Sequence, residues 1–489
     1  MSMRSLLASS FKLSILGVTA LISSTMSSQV MAETPKLHGE HTKDAVSATT
    51  STAKVKLIDA ELRAAFPSNA PGASVLVMQD GKILLKKAYG LANVELKVPA
   101  RTGNLFHVAS VGKQFTAAAI LSLSEQHKLA LNDPISKYFS GLPNSWSGIR
   151  IEHLLTHTSG IRNLFEDEKF RHAAYRSHTP AQLLAYAIAQ DTIAAPGKQF
   201  SYATVNYSLL AMIIEKQSGK SYQDYLQTEF FQPLAMGHTI FDQTAGIIPN
   251  AVTPYQAGPV LAEHFDHSVG FGGGSYYSTT EDLAKWAQAL HSNKILNASN
   301  TKAMHSAYQL ETGGTIPYGF GTRPRQLAGE AYLQSNGDIQ GFHSETVYLP
   351  KSKTYIAILS NGELFKYGLQ PLAKRIAVIA TGKKYEVAKL QTLSQAKLEK
   401  FTGHYKFQRD EYTIHSRGGK LYLEFPNSKN WVALSPLSES EFCYDSNTDF
   451  RIRFTEKTDG KHLAQWFEID VLDDESDPVF TRETIPPVF

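Results

Sequence analysis

Strand patterns at the two ends of a long helical stretch constrain the fold of this chain more than any other feature of its sequence. After residue 71 the chain alternates (GASVLVMQ), turns at Asp80-Gly81 and returns as KILLKKAYG, which is typical of an antiparallel hairpin. Strand patterns resume near residue 342 as GFHSETVYLP and TYIAILSNG. Amphipathic helix patterns lie between them, at residues 110–127, 207–219 and 280–291. This order predicts an α+β domain whose antiparallel sheet, flanked by helices, is closed by its own two ends.

The sequence pattern changes beyond residue 384. Residues 385–400 are charged and indicate a linker, and residues 401–489 contain eight short alternating segments: GHYKFQ, EYTIHS, KLYLEF, NWVALS, EFCYD, DFRIRFTE, HLAQWFEIDV and PVFTRE. Short strands at near-regular spacing predict a small antiparallel barrel or sandwich. Because 489 residues is about three times a typical domain length, two domains are expected. We predict the α+β domain at 55–384 and the all-β domain at 401–489.

The first 32 residues have the features of a secretory signal peptide. A positive start is followed by an apolar run (SILGVTALI) and by small residues that end at Ala32. We expect cleavage after Ala32 and export to the periplasm or the medium. The alternative is a membrane anchor, which requires about 20 apolar residues, and the run SILGVTALI is shorter than that. No integral membrane segment is therefore expected after cleavage. Residues 33–54, rich in Thr, Ser and Lys, predict a flexible linker.

Composition excludes several classes of function. The 48 basic and 45 acidic residues nearly balance, without a Lys/Arg run, so nucleic acid is a poor candidate partner. The single cysteine, Cys443, excludes an internal disulfide and a thiolate zinc cluster. Glu263, His264, Asp266 and His267 are close in sequence, but without a second cluster they indicate a solvated polar loop. We expect neither a cofactor nor a metal.

One motif could carry catalysis. Ser110-Val111-Gly112-Lys113 is an SxxK tetrad, in which one helical turn separates a serine hydroxyl from a lysine amine that could take its proton. The spacing alone is not specific, because it recurs at Ser9/Lys12, Ser51/Lys54, Ser299/Lys302 and Ser394/Lys397. Ser110 differs because apolar and small residues follow it, so that a buried helix could begin there and direct its N-terminus into a cleft. The alternative interpretation is an N-cap serine beside a solvated lysine.

The residues around the tetrad strengthen the catalytic interpretation. Further blocks follow in order: FHVASVGK at 106–113, IEHLLTHTSG at 151–160, FSY and NYSLL within 200–210, GGG and STTEDL within 272–283, and Gly337 with GF and YLP up to residue 350. Over about residues 57–372 the chain resembles the serine β-lactamase-like hydrolases of the class C type, which include class C β-lactamases, D-alanyl-D-alanine peptidases, D-aminopeptidases and esterases.

The resemblance implies roles for individual residues. Ser110 matches the acylating nucleophile, Lys113 its proton-transfer partner, and Tyr202 the tyrosine of the family's Y-x-N motif. Free lysine and tyrosine both titrate near pH 10, so one of them must be perturbed to act as a base at neutral pH. Which of the two is the base stays open. His157 in the HTSG segment is a weaker candidate base, since the family uses this stretch as a structural turn.

Two motifs depart from the family pattern. The third position of Y-x-N is Thr204, a hydroxyl in place of an amide. The third motif, in which Lys or His precedes a small residue and Gly, reads Ser335-Asn336-Gly337, so the cationic or imidazole side chain that would meet a substrate carboxylate is missing. Gly337 is retained, and the Asp338 N–H could join the Ser110 N–H in an oxyanion hole. Recognition of a carboxylated β-lactam or peptide is therefore doubtful.

The sequence thus predicts an exported serine hydrolase that works through a covalent acyl-enzyme. Its expected substrate is an ester, an amide or a small peptide, with D-residues among the candidates, and efficient β-lactam hydrolysis ranks lower. The two altered motifs also support a rival from a different class, a non-catalytic binding protein of this fold that recognises cell-wall peptides or a protein partner.

Overall fold

The computed structural model describes residues 41–242, 246–256, 260–263, 265–327, 329–362, 369–383, 389–407, 410–424, 431–444, 450–456, 462–468 and 479–483. The predicted signal peptide lies outside these residues. In this part of the chain the helices are α1 His41–Ala65, α2 Lys113–Glu125, α3 Ile151–Leu155, α4 Glu168–Ala173, α5 Pro180–Ile188, α6 Thr204–Ser218, α7 Tyr222–Leu226, α8 Thr280–His291, α9 Ala298–Met304, α10 Leu369–Thr381 and α11 Gln395–Glu399. None of them combines the length and the apolar run that crossing a bilayer requires.

The strands of the larger domain form a central sheet and several short ribbons. They are β1 Ala73–Gln79, β2 Lys82–Tyr89, β3 Leu91–Asn93, β4 Val98–Pro99, β5 Phe106–His107, β6 Ile240–Phe241, β7 Tyr255–Gln256, β8 Val260–Leu261, β9 Tyr276–Ser278, β10 Tyr308–Gln309, β11 Thr315–Ile316, β12 Arg323–Leu327, β13 Glu330–Ile339, β14 Phe342–Leu349 and β15 Thr354–Ser360. The central sheet has the order β12-β13-β14-β15-β1-β2.

The two ends of this domain close the sheet, as the sequence predicts. Strand β1 pairs antiparallel with β15, from Ala73 opposite Ser360 to Gln79 opposite Thr354. Strand β1 also pairs with β2 through the predicted turn, where Asp80 and Gly81 both have positive φ, 48° and 74°. Such a turn matches the twist of the strands that it joins. The predicted α+β fold is confirmed.

Helices cover both faces of the sheet because side chains alternate along each strand. On β1, Leu76 and Met78 enter the larger apolar cluster, which includes residues of α2, α6 and α8. Val75 and Val77 enter the smaller cluster, which includes residues of α1 and α10. Helix α2, which follows the SxxK serine, is buried in the larger cluster over most of its length.

The predicted flexible linker at residues 33–54 is wrong from residue 41 onward, because α1 begins at His41. The later turns of this helix carry the apolar side chains Ile58 and Leu62, which are fully buried against the sheet. These two side chains, together with Phe66 just beyond the helix, anchor it to the sheet. Once nucleated there, a helix extends at low cost towards its N-terminus. Residues 33–54 by themselves have no apolar side chains at helical spacing that would anchor a helix.

The C-terminal strands form a closed barrel, which resolves the predicted choice between a barrel and a sandwich. They are β16 Gly403–Phe407, β17 Asp410–Arg417, β18 Lys420–Glu424, β19 Trp431–Pro436, β20 Glu441–Tyr444, β21 Phe450–Glu456, β22 His462–Glu468 and β23 Val479–Glu483. Neighbours pair in chain order, and β16 pairs with β23 to close the ring. A separate apolar core fills it, and Leu393 and Leu398 join that core. The end of the predicted linker at 385–400 therefore packs with the barrel.

Candidate active site

Ser110 lies in a tight turn between a short strand and a buried helix. Residues Ala109–Gly112 form a single 3-10 turn that joins β5 to α2, so α2 begins at Lys113 and not at the serine as predicted. Ala109 has a φ of 45°, which is uncommon for a residue with a side chain. Gly274 packs directly on this turn, since a Cβ there would lie 2.1 Å from the Ala109 carbonyl oxygen. Close backbone packing thus restrains the position of Ser110.

Lys113 is almost fully buried, with 1% of its surface exposed. Its Nζ donates to Ser110 Oγ at 3.0 Å and to the Gly273 carbonyl oxygen at 2.8 Å. The helical spacing i, i+3 brings the two side chains to one face, and the Gly273 carbonyl fixes the direction of the amine. The lysine is therefore not the solvated residue of the alternative interpretation.

Tyr202 approaches Ser110 from the loop that precedes α6. Its hydroxyl donates to Ser110 Oγ at 2.9 Å. The ring contacts that of His157 in a tilted arrangement with centroids 4.2 Å apart, and the Ala203 N–H donates to His157 Nδ1 at 3.2 Å. Burial, with the nearby charges of Lys113 and Arg323, holds the pKa of His157 well below its ordinary value. A neutral His157 thus lies behind Tyr202 and supports its loop.

The edge of strand β13 passes beside the serine. Strand β12 pairs with β13 only over Glu330–Gln334, so in the described sheet the residues from Ser335 onward have register partners in β14 alone. A Cβ at Gly337 would lie 2.7 Å from the Ser110 backbone nitrogen. Only glycine allows this approach, which brings the Asp338 backbone next to the nucleophile. The oxyanion role of the Ser110 and Asp338 N–H groups stays a prediction.

Two cavities meet at Ser110. The narrow cavity, of about 230 Å³, is lined by Ser110, Tyr202, Tyr318, Gly321, Arg323, Gln334, Ser335, Asn336 and Asp338. Its cation is Arg323 on β12, which stands opposite Gln334 and lies 5.6 Å from the Tyr318 ring centroid. Ser335, which stands where the family pattern has Lys or His, is buried and donates to the Gly321 carbonyl. The cation is therefore supplied from the neighbouring strand, which no motif in the sequence indicated.

The wide cavity, of about 440 Å³, shares Ser110, Tyr202 and Asp338 with the narrow one. Its lining residues are His107, Ala109, Ser110, Phe165, Tyr202, Thr204, Phe265, His267, Val269, Gly270, Gly273, Gly274, Asp338, Ile339, Gln340 and His343. Thr204 packs closely here, because a Cβ at Gly273 would lie 2.7 Å from its Cγ2. The predicted substrate residues are thus divided: Thr204 lines the wide cavity, Ser335 and Asn336 the narrow one, and Asp338 both.

The polar segment at 263–267 is not a solvated loop throughout, and the prediction fails at His267. His267 is 6% exposed, its Nδ1 pairs with Asp242, and its ring lies 4.1 Å from that of His107. Glu263 is exposed and accepts from the Tyr175 hydroxyl, whereas His264 lies outside the described residues. No sequence motif indicates this cluster, because His107 and Asp242 are distant from His267 along the chain.

His107, Asp242 and His267 have ligand atoms within 4.8 Å of one another, and among the described residues this is the group that could hold a metal ion. Imidazole and carboxylate are ligands of Zn²⁺. Nδ1 of both rings is already engaged: the Ala109 N–H donates to His107 Nδ1 at 3.2 Å, and His267 Nδ1 pairs with Asp242. Because Nδ1 of His107 accepts a hydrogen bond, the proton of a neutral ring lies on Nε2, and a protonated nitrogen cannot bind a metal. We interpret the group as a hydrogen-bonded support of the nucleophile turn.

The fold and this site define a class of protein. The serine lies in a turn before a buried helix, and a lysine follows it one turn later. A tyrosine donates to the serine hydroxyl, and an open strand edge passes beside it. Penicillin-binding-protein-like serine hydrolases have this arrangement. Residues 60–380 match the family model described as Beta-lactamase. The chain belongs to this family of hydrolases.

Individual relatives agree with this placement. Penicillin-binding protein 4* of Bacillus subtilis is 28% identical over 400 residues, which cover 76% of this chain and 87% of that protein. The octameric penicillin-binding protein homologue of Pyrococcus abyssi superimposes with a TM-score of 0.63 at 24% identity, covering 88% of this chain and 99% of that one. The D-stereospecific amidohydrolase of a Streptomyces species superimposes with a TM-score of 0.57 at 23% identity, covering 66% and 97% of the two chains. These two structures share the fold.

Proposed function

We propose that the protein is an exported serine hydrolase that cleaves an ester, an amide or a small peptide, with D-residues among its substrates, through a covalent acyl-enzyme. The observation that carries this proposal is the pair of proton-carrying groups on one hydroxyl: Lys113 Nζ at 3.0 Å and the Tyr202 hydroxyl at 2.9 Å from Ser110 Oγ. Both distances lie within the reach required for proton transfer.

The reaction has two half-reactions. Ser110 Oγ bonds to the substrate carbonyl carbon while its proton passes to Lys113 or Tyr202, and the backbone N–H groups of Ser110 and Asp338 stabilise the oxyanion. The bond to the leaving nitrogen or oxygen then breaks, and that atom takes the proton. Water attacks the acyl-enzyme with the same groups as base, releases the acid and restores the serine.

Two observations support the substrate class. Solved relatives of the same fold are described as a D-stereospecific amidohydrolase and a D-amino acid amidase, and we extend amide cleavage next to a D-residue to this chain. Arg323 in the narrow cavity supplies a guanidinium that can bind a carboxylate with two parallel hydrogen bonds. We therefore propose that the part of the substrate in the narrow cavity ends in a carboxylate.

A fluorophosphonate probe read by intact mass tests the covalent mechanism. Wild type is expected to gain one adduct, Ser110→Ala none, and Ser394→Ala, at another SxxK serine, the same adduct as wild type. Tyr202→Phe should slow labelling by about 100-fold, because general acid–base groups contribute 10²–10⁴. Absence of an adduct on folded wild type would rule out the covalent mechanism.

Arg323→Met tests the carboxylate. For a peptide with a free C-terminal carboxylate, KM should rise at least tenfold, because a hydrogen bond to a charged group contributes about 1.5–3 kcal/mol and about 1.4 kcal/mol is tenfold in affinity. For the same peptide with a C-terminal amide, KM should stay within threefold. An equal change for both peptides would contradict a charge-specific role.

The rival, a non-catalytic binding protein, is motivated by Thr204 and Ser335 in place of the family's Asn and Lys or His. The double substitution Thr204→Asn with Ser335→His separates the two proposals. The binding interpretation is favoured if wild type is inert towards a panel of esters and peptides and the double variant gains turnover. Export is tested by N-terminal sequencing of protein recovered from outside the cytoplasm, where we expect the chain to start at Glu33.

A further inference from the structure

The wide cavity has an aromatic wall that the proposed reaction does not use. Phe165 and Phe265 both line it, with ring centroids 5.9 Å apart. A further ring contacts each of them: Phe170 lies 5.4 Å from Phe165, and Tyr175 lies 4.8 Å from Phe265. Edge-to-face and tilted contacts of this kind fix the orientation of aromatic rings. The two phenyl rings are half-buried and form a positioned apolar surface close to the nucleophile.

The polar groups of the same cavity are histidines, hydroxyls, an amide and one carboxylate. Within the described part of the chain, the residues that line the wide cavity include no Lys or Arg. Its carboxylate, Asp338, pairs with His343 at 2.7 Å and accepts from the Asn336 amide at 3.0 Å. Asp338 lines both cavities, so a substrate carboxylate would meet it in either one, but Arg323 lines the narrow cavity and can offset this repulsion only there. The two cavities therefore differ in the chemistry that they accept.

The size of the cavity agrees with a side chain of moderate bulk. Its volume of about 440 Å³ lies in the range of small-molecule pockets, about 300–1,000 Å³. Val269 and Ile339 extend the apolar lining beyond the two phenyl rings. An aromatic group is flat and rigid, so that it would cover this wall with little loss of conformational freedom.

We propose that the wide cavity binds the acyl group of the substrate and that this group is apolar and uncharged, of phenyl to indole size, held by Phe165 and Phe265. This inference rests on the proposed serine hydrolase function. The acyl group stays on Ser110 through both half-reactions, whereas the leaving group departs after the first. Since Arg323 assigns the narrow cavity to the part of the substrate that ends in the C-terminal carboxylate, which is the leaving side, the wide cavity is left for the acyl side.

Three p-nitrophenyl esters with one leaving group test the inference: acetate, phenylacetate and the monoester of glutaric acid. After correction for their rates with hydroxide, kcat/KM for phenylacetate should exceed that for acetate at least tenfold, since single hydrophobic groups discriminate by 10–200-fold. Glutarate should be the poorest of the three. Equal values for acetate and phenylacetate, or a preference for glutarate, would overturn the proposal.

Phe265→Ala should lower kcat/KM for phenylacetate about tenfold and leave that for acetate within threefold. Trp431→Ala removes an aromatic side chain of similar type, 46% exposed on the barrel, and should change neither value. Phe265→Arg should raise kcat/KM for glutarate relative to phenylacetate, because it adds the missing positive charge. An equal loss for acetate and phenylacetate in Phe265→Ala would assign the residue to structure and contradict its role in specificity.

Two further measurements separate the possible failures. Benzyl acetate carries its aromatic ring in the alcohol and methyl phenylacetate carries it in the acid, with leaving alcohols of similar acidity. A preference for benzyl acetate over methyl phenylacetate would place the apolar group on the leaving side and refute the acyl assignment. A small fluorophosphonate with an ethyl substituent reports on Ser110 without using the wide cavity. If it labels wild type while phenylacetate shows no preference, the acyl inference fails and the hydrolase remains; if it does not label, the proposed function itself fails.

Discussion

Gly337→Ala tests whether the close approach of strand β13 to Ser110 controls the reactivity of the serine. A Cβ at this position would lie 2.3 Å from the Val108 carbonyl oxygen, 2.6 Å from Ser344 Oγ and 2.7 Å from the Ser110 nitrogen. Two of these three atoms belong to backbone and cannot rotate away. The Ser344 hydroxyl is held as well, because it donates to the Val108 carbonyl at 2.7 Å.

The size of the effect follows from these distances. Real Cβ contacts below 3.0 Å are essentially not observed, so the strand and the turn must separate by about 0.7 Å, the gap between 2.3 Å and 3.0 Å. A displacement of about 1 Å at a reacting centre can cost 10²-fold, and loss of one oxyanion donor costs about 10²–10³-fold. We expect the acylation rate to fall about 100-fold, and the overpacking to cost about 1–3 kcal/mol of stability.

The assay is the second-order rate of fluorophosphonate labelling at Ser110, measured well below the melting temperature of the variant. Gly103→Ala is the control, since a Cβ there would meet no atom within 4 Å, and its labelling rate should equal that of wild type. A labelling rate of folded Gly337→Ala within threefold of wild type would refute the argument that the strand and the nucleophile turn are packed at their limit.

Three further predictions concern stability. Leu62→Ala should lower the free energy of unfolding by about 2–5 kcal/mol, because it opens a cavity beneath α1, whereas Leu57→Ala, on the same helix but 59% exposed, should change it by less than about 0.5 kcal/mol in urea unfolding. Burial lowers the pKa of His305 from 6.5 to about 4, so between these pH values the unfolded chain binds more protons than the folded chain. The free energy of unfolding should therefore fall as the pH falls from 6.5 towards 4. His305→Gln should flatten this pH dependence in urea titrations, and an unchanged slope would contradict the assignment. Cys443 is buried in the barrel and should react with a thiol reagent in denaturant but only slowly in native protein, so fast native labelling would show that the barrel opens.

Local patterns predicted the elements that depend on neighbours in sequence. The turn at Asp80-Gly81 and the eight C-terminal strands follow from alternation and turn chemistry, which act over a few residues. The sequence pattern predicts no helix at α1, because its helical state depends on Ile58 and Leu62, which are buried against strands from the far end of the domain. Sequence pattern likewise could not decide between barrel and sandwich, because closure depends on the pairing of β16 with β23.

The candidate site divides in the same way. The sequence by itself determined that Ser110 and Lys113 share one face of a helix start, since i, i+3 spacing is a local property, and the motifs around Tyr202 and Gly337 indicated the family. Only the tertiary structure decided that Arg323 supplies a positive charge that Ser335 lacks, and that His267 is buried beside His107 and Asp242. These groups come from separate strands and loops, so their proximity depends on the pairing of β12 with β13 and on the packing of distant segments. The spacing of residues along the chain does not specify such long-range contacts.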